Sequence, residues 1–370
     1  MADLRSSKAR VLAYYLPQFH PTPENDLWWG KGFTEWNNVG AAVPLYRGHI
    51  QPRIPADLGY YDLRLPEVRE AQAELARDAG IEGFLYWNYW FGNGRKILDM
   101  PLNELLKTGK PDFPFCLGWA NHSWSSKSWN KIKSLRKDQL LMEQLYPGKK
   151  DNEDHFYAHL SAFQDKRYVR VDDRPVFLIY EPLAVPNIKA FFDTWNHLAV
   201  KNGLKGIYFI GLNKGWSSEI NKLFELGFDG VNRNGQWEAE CIVKGKLLRK
   251  IVNKLNEKLH LPYLDVYDYS EITKHLFNEF DAMDKVIPSI LPQWDRSPRS
   301  GKLGIIYKNA TPAKFAQQLE QALNIVQNKN QDSRILILKS WNEWGEGNYV
   351  EPDKANGHGY LEALKSKLLG

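Results

Sequence analysis

Residues 335–347 read Ile335-Leu336-Ile337-Leu338-Lys339-Ser340-Trp341-Asn342-Glu343-Trp344-Gly345-Glu346-Gly347. Four successive branched aliphatic residues are apolar on both faces, as a strand covered on both sides of a parallel sheet must be. The chemistry-bearing residues begin where that run stops. Two acids, two indoles and two glycines therefore fall at the C-terminal end of a buried strand.

Runs of the same kind recur at residues 11–16, 83–86, 115–119, 176–180, 207–211, 230–231, 286–291 and, counting this one, 334–339. Turn residues bound each, and helical periodicity separates most of them. It is clearest at 66–79, where Pro66 suits the first helical position and Gly80 follows the end, and at 151–163. Further helices are expected at 188–201, 218–226, 244–259, 311–327 and 361–368. Eight strand-and-helix units in 370 residues predict a single-domain (β/α)8 barrel over residues 1–370, with long Trp-rich βα loops at its C-terminal face. Residues 1–9 are expected to be a flexible N-terminus. A doubly wound open sheet would need a Gly-rich phosphate turn, and none follows any of these strands.

Hydrophobic content of 43% with 25% charged residues is that of an ordinary soluble globular chain. No run of 18 apolar residues occurs and the N-terminus is polar, so a cytoplasmic location is expected. The net charge of +5 is mild and comes without a long Lys/Arg run, which argues against a nucleic-acid partner. The densest basic stretch, 244–258, has apolar residues at helical spacing and reads first as a solvated helix face. Its sharper reading is contact with anionic lipid head groups at the inner face of the membrane, or with a diphosphate-bearing donor. Cys116 and Cys241 are too few for a disulfide scaffold and lack metal-ligand spacing, and no metal or cofactor is expected.

Making or breaking a glycosidic bond needs one carboxyl for the leaving or entering oxygen and a second to support an oxocarbenium-like carbon. Glu343 and Glu346 offer such a pair and are the catalytic candidates. On a helical turn, positions i and i+3 lie on one side with Cβ atoms about 5–6 Å apart. Carboxyls of retaining pairs sit about 5–5.5 Å apart and those of inverting pairs about 6.5–9.5 Å, so the spacing leans toward retention. Acids also favour helix N-termini for purely structural reasons. The flanking indoles, whose faces stack on sugar C–H surfaces, favour the saccharide reading.

Of 14 tryptophans, only Trp195 falls inside a predicted helix. Trp28, Trp29 and Trp36 follow the first strand, Trp87 and Trp90 the second, and Trp119, Trp124 and Trp129 the third. Trp216, Trp237, Trp294, Trp341 and Trp344 follow later strands, so thirteen indoles are expected to line or rim one cleft. Amides and hydroxyls set among these rings suit sugar hydroxyls. The substrate-binding candidates are Tyr15, Gln18, His20, Trp29, Glu35 and Trp36 at the first exit, and Asn88, Tyr89 and Trp90 at the second. Trp119, Asn121 and Trp124 follow at the third, then Tyr180, Gln236, Trp237, Trp294, Asp295, Trp341 and Asn342. A lone His in such a loop is more often a structural hydrogen bonder, and Glu35 could cap a helix or pair with Lys31.

The pairing of Tyr15-Leu16-Pro17-Gln18-Phe19-His20 and Phe33-Thr34-Glu35-Trp36 with Trp341-Asn342-Glu343-Trp344-Gly345-Glu346-Gly347 resembles the glycosyltransferase WbsX family, a relative of the endo-α-mannosidases of glycoside hydrolase family 99. The likeness implies a (β/α)8 barrel without a metal, and a part in assembling bacterial surface polysaccharide such as O-antigen. In the related hydrolases the first acid of the Glu-x-x-Glu motif deprotonates the sugar 2-hydroxyl, giving a 1,2-anhydro intermediate. The second acid serves as general acid and then base, with retention at an α-mannoside. Carried over, these roles fall to Glu343 and Glu346. Relatives carry Glu-Asn-Trp and basic residues after the Trp-Ala-Asn of the third strand, where this chain has His122 and Ser123. The expected partner is an oligosaccharide or polysaccharide, with a lipid-diphosphate-linked or nucleotide sugar as donor. An endo-acting retaining α-glycoside hydrolase would use the same residues. A catalytically silent carbohydrate-binding protein would need the tryptophans and not the acids, yet both acids are present.

Overall fold

The computed structural model describes residues 7–126, 139–245, 251 and 264–370. Eight strands form its centre: β1 (Arg10–Tyr15), β2 (Gly83–Trp90), β3 (Phe115–Trp119), β4 (Arg174–Ile179), β5 (Tyr208–Asn213), β6 (Gly230–Arg233), β7 (Val286–Ile290) and β8 (Ile335–Leu338). Each pairs in parallel with its neighbours in sequence. β1 pairs with β8 at Arg10↔Ile335 and with β2 at Leu12↔Gly83, so the sheet closes on itself. Every residue of β2, β3, β5, β6, β7 and β8 is buried, which is why these strands read as unbroken apolar or aromatic runs.

The outer layer holds α1 (Pro66–Asp78), α2 (Met100–Thr108), α3 (Lys149–Gln164), α4 (Ile188–Lys201), α5 (Ile220–Glu225), α6 (Gln236–Lys244), α7 (Pro312–Val326) and α8 (Gly359–Leu368). This completes the (β/α)8 alternation. Local chemistry sets the helix ends. In α7 the Thr311 side chain accepts from the Lys314 N–H, Pro312 occupies the first turn, and Phe315, Leu319, Ala322 and Val326 form the buried stripe. In α4, Asn187 caps the start and Phe191, Trp195 and Leu198 face the barrel.

Three expectations change. β2 runs on to Trp90, because Tyr89 and Trp90 pair with Ile97 and Lys96 in a small hairpin, so Asn88, Tyr89 and Trp90 are strand residues. Helix α6 occupies Gln236–Lys244, where a site loop was read, and almost all of the expected helix 244–259 lies outside the described residues, as does Trp129. Residues 7–9 are not loose: the Lys8 N–H donates to Leu368 O at 3.2 Å and Ala9 is buried, while residues 1–6 lie outside the description. Helix α2 went unread because its nine residues begin Met100-Pro101 and carry only a short apolar stripe.

Inside the ring, Tyr14 of β1 donates through its hydroxyl to Asn232 Oδ1 of β6 at 2.6 Å, and Asn232 Nδ2 donates to Ser289 Oγ of β7 at 3.0 Å. Strands that are not neighbours are thus tied across the interior. Of these residues, Tyr14 also lines the cavity at the C-terminal mouth.

Candidate active site

The chain leaving β8 makes a tight hairpin. Asn342–Glu343 pairs antiparallel with Asn348–Tyr349 around a 3-10 turn, Trp344–Glu346. Ser340 staples it, accepting from the Glu343 N–H at 2.9 Å and donating to Asn348 O at 2.7 Å. Both motif glycines are steric requirements. A methyl group at Gly345 would stand 1.7 Å from Glu35 Oε1, and one at Gly347, whose φ is +53°, would stand 2.6 Å from Asp295 Cβ. The hairpin is sewn to the β1 exit by Asn342, whose Oδ1 accepts from Leu16 N at 2.7 Å and whose Nδ2 donates to Leu16 O at 3.1 Å.

Charges then distinguish the two acids. Arg299, from the loop after β7, donates through Nε to Glu35 Oε1 and through Nη1 to Glu346 Oε1, each at 2.8 Å. Arg296 Nη2 lies 3.2 Å from the same Glu346 oxygen. Burial alone would raise the Glu346 pKa, but Arg296, Arg299 and Lys339 outweigh it and hold this carboxyl below its ordinary value. Glu343 goes the other way: burial and the negative charge of Glu346 push it up to about 7, against the pull of Arg299 and Lys339. One acid near neutrality beside one held ionised is the division of labour that paired-carboxylate chemistry uses. Lys339 donates to Gln236 Oε1 at 2.6 Å and sits 4.3 Å above the Trp294 ring, its pKa lowered by burial.

Both acids face a cavity of about 460 Å3. Every strand exit contributes to it. Tyr14 and Leu16 come from β1, Trp87 and Tyr89 from β2, His122 and Trp124 from the β3 loop, and Tyr180 and Glu181 follow β4. Leu212 of β5, Asn234 after β6, and Trp294, Arg296 and Arg299 after β7 complete the wall with Lys339. Tyr14 stacks on Trp87 with ring centres 4.5 Å apart, and Tyr180 meets Trp87 edge-on at 5.5 Å. Burial lowers the His122 pKa to about 4, so its ring is neutral at pH 7, and its Nδ1 has no hydrogen-bond partner among the described residues.

Of the sequence candidates, Glu343, Glu346, Tyr89, Trp124, Tyr180 and Trp294 meet at this cavity. The others do not line it. Glu35 is fully buried behind the hairpin as the counter-ion of Arg299, and Asp295 accepts from His49 Nε2 and Gln51 Nε2, both at 2.7 Å, anchoring the loop after β1. Asn121 clamps the backbone of Glu181 and Asn342 that of Leu16. Tyr15 donates to Gln72 in α1, and Gln236 accepts from Lys339. Gln18, His20 and Asn88 are buried off the cavity wall, and Trp29 packs on Phe33. Trp36 donates to Tyr61 O, Trp90 lies flat on His155, Trp119 stacks on Phe191 and Trp341 packs on Phe84. Trp237 is 38% exposed in an edge-on pair with Trp216.

The expectation that thirteen indoles share one cleft is therefore corrected: among the described residues Trp87, Trp124 and Trp294 line the cavity. Trp28, Trp29, Trp36, Trp90, Trp119, Trp341 and Trp344 instead pack in or against the hydrophobic core. Trp87 was expected at the cleft among the indoles, whereas sequence reasoning did not single out Tyr14, His122, Arg296, Arg299 and Lys339 as site residues. The readable signal was Arg296-Ser297-Pro298-Arg299, two cations directly after the Trp294-Asp295 strand exit.

A (β/α)8 barrel with an acid pair and aromatic walls at its C-terminal mouth has the architecture of carbohydrate-active enzymes. The sequence signature described as Glycosyltransferase WbsX matches residues 11–364, and the chain belongs to that family. The WxcX proteins of Xanthomonas campestris pv. campestris strains B100 and ATCC 33913 are each 33% identical over 365 residues, 97% of this chain and 50% of theirs. The chain thus spans about half the length of these curated relatives. Among solved structures, a glycoside hydrolase-like protein superposes with a TM-score of 0.63 at 15% identity, over 99% of this chain and 95% of its own. The GH99 endo-alpha-mannosidase from Bacteroides thetaiotaomicron superposes with a TM-score of 0.56 at 16% identity, over 99% and 97% of the two chains. At these identities the likeness is one of fold. Among the described residues no cluster of His, Cys, Asp and Glu could hold a metal ion, and no helix is long and apolar enough to cross a membrane.

Proposed function

We propose that the chain acts on α-glycosidic, mannoside-like linkages with retention through Glu343 and Glu346, and that its physiological reaction is glycosyl transfer in the assembly of bacterial surface polysaccharide such as O-antigen. The observation that carries this reading is the divided pair: two carboxyls on one turn facing one cavity, one raised to about 7 and the other ionised. A group whose pKa lies near the working pH is best matched to proton transfer. Glu343 takes the proton of the sugar 2-hydroxyl, O2 closes on C1, and the C1–O bond to the leaving group breaks. The acceptor hydroxyl then gives its proton to Glu346 and attacks C1, the C1–O2 bond breaks, and O2 recovers its proton from Glu343. Two inversions at C1 give net retention.

The ionised state of Glu346 favours transfer over hydrolysis of an ordinary glycoside. A phosphate leaving group departs without needing a proton, so a carboxylate held charged by Arg296 and Arg299 is ready at once as the base for the acceptor. A lipid-diphosphate-linked or nucleotide sugar donor fits that requirement. The test is to supply such donors with α-linked oligosaccharide acceptors and follow products by mass spectrometry and proton NMR. An α-linked product from an α-linked donor is expected. A β-linked product would overturn retention, and release of free sugar with no acceptor elongation would favour an endo-acting hydrolase.

A further inference from the structure

Beside the cavity at Glu343 and Glu346 lies a second one, of about 400 Å3. Glu181 and Leu212 line both, so the two are compartments of one cleft. At their boundary Lys214 Nζ pairs with Glu181 Oε1 at 2.9 Å and rests 3.7 Å above the Tyr180 ring. That ion pair is more than a third exposed at both ends, and such pairs are weak enough for a ligand to displace. Pro182, Leu183, Leu212 and Leu223 give the second compartment an aliphatic wall. Asn213 also contributes to the lining, although the residue is 3% exposed.

We propose that this compartment is a further saccharide subsite, holding neutral sugar residues of the chain beyond the one that reacts. The aliphatic wall suits the C–H face of a pyranose, and Glu181 and Glu219 offer acceptors for its hydroxyls. Two carboxylates against one ammonium disfavour a phosphate or uronate there. Each compartment falls within the roughly 300–1,000 Å3 of small-molecule sites, so together they have room for several linked sugars. This assignment rests on the reading of the first cavity as the reacting site.

The experiment uses the full chain carrying Glu343→Gln, to prevent turnover, and calorimetric binding of α-linked manno-oligosaccharides from disaccharide to pentasaccharide. Affinity is expected to rise about tenfold along the series, equivalent to about 1.4 kcal/mol. Adding Leu183→Trp, a substitution at a half-exposed wall position, should abolish the rise and leave disaccharide binding unchanged. Affinity that stays flat with length, a loss equal at all lengths, or tighter binding of uronate-containing oligosaccharides would overturn the subsite alone. If no member of the series binds, the reading of the first cavity falls with it.

Discussion

Arg299 sets the charge state of the site, bridging a buried carboxylate from the β1 loop and one from the β8 hairpin. Arg299→Met would leave Glu35 buried and unpaired, a change that typically costs about 3–5 kcal/mol and is read by denaturant unfolding. It should also raise the Glu346 pKa, because Arg299 is one of the cations holding it down. For Glu343, pushed up to about 7, the base role requires the ionised form. Plotted against pH, kcat/KM should therefore climb through about 7, while Glu346 stays ionised across that range. A profile that falls through the same point would make Glu343 the acid. That Glu343 and Glu346 meet at one cavity could be read from their i and i+3 spacing directly after a buried strand. For Arg296 and Arg299 the place after a strand exit was readable but the pairing was not, because what a cation pairs with is decided by contacts with Glu35 and Glu346, each tens of residues or more away in sequence.

At the scale of elements, the hairpin after β8 works only because two of its residues lack side chains. Gly345→Ala would drive a methyl group into Glu35 Oε1, breaking the Glu35, Arg299 and Glu346 contacts, so activity should fall even where the barrel still folds. Gly347→Ala combines a positive φ with the Asp295 backbone at 2.9 Å, and strain of this kind costs about 1–3 kcal/mol. Turnover by the Gly345→Ala variant and thermal unfolding of the Gly347→Ala variant check the two statements. All eight strands were readable because a parallel barrel buries both faces of each, leaving short aliphatic or aromatic runs. Helices α2 and α6 were not: one is short and opens on Met100-Pro101, and the other hides behind Gly235-Gln236-Trp237, which looks like site chemistry. Asn121, Asp295 and Asn342 have the residue types of sugar ligands, yet their hydrogen bonds go to backbone and loop side chains. Polar residues at strand exits serve loop architecture as readily as substrate, and sequence alone does not separate the two uses.

Over the whole molecule, pH should tune stability through buried acids. Glu351 accepts from Gln72 Nε2, Trp344 Nε1 and the Tyr61 hydroxyl, and burial pushes its pKa up to about 7, as happens at Glu343. Below the ordinary value of 4.5 both folded and unfolded chains keep these protons. Between 4.5 and about 7 the unfolded chain releases them while the folded chain holds them, so their contribution to stability falls as pH rises and levels off above 7. Glu351→Gln should flatten that slope in melting curves taken across the window. The tryptophans teach a related lesson at this scale. Their position along the chain located the C-terminal face of the barrel, but most of them pack in or against the hydrophobic core, and three reach the cavity among the described residues.

Glu343 and Glu346 are proposed to work as a pair on a saccharide. The most direct test is turnover by Glu343→Gln and Glu346→Gln beside the unaltered chain, with unfolding temperatures measured on the same preparations. Each substitution should lower kcat by at least about 10²-fold. Glu343→Gln should leave the unfolding temperature nearly unchanged, because Gln matches the neutral form that burial favours. Glu346→Gln should fold with a lower unfolding temperature, because Arg296 and Arg299 lose their shared counter-ion. Near-normal rates in both variants would contradict the account.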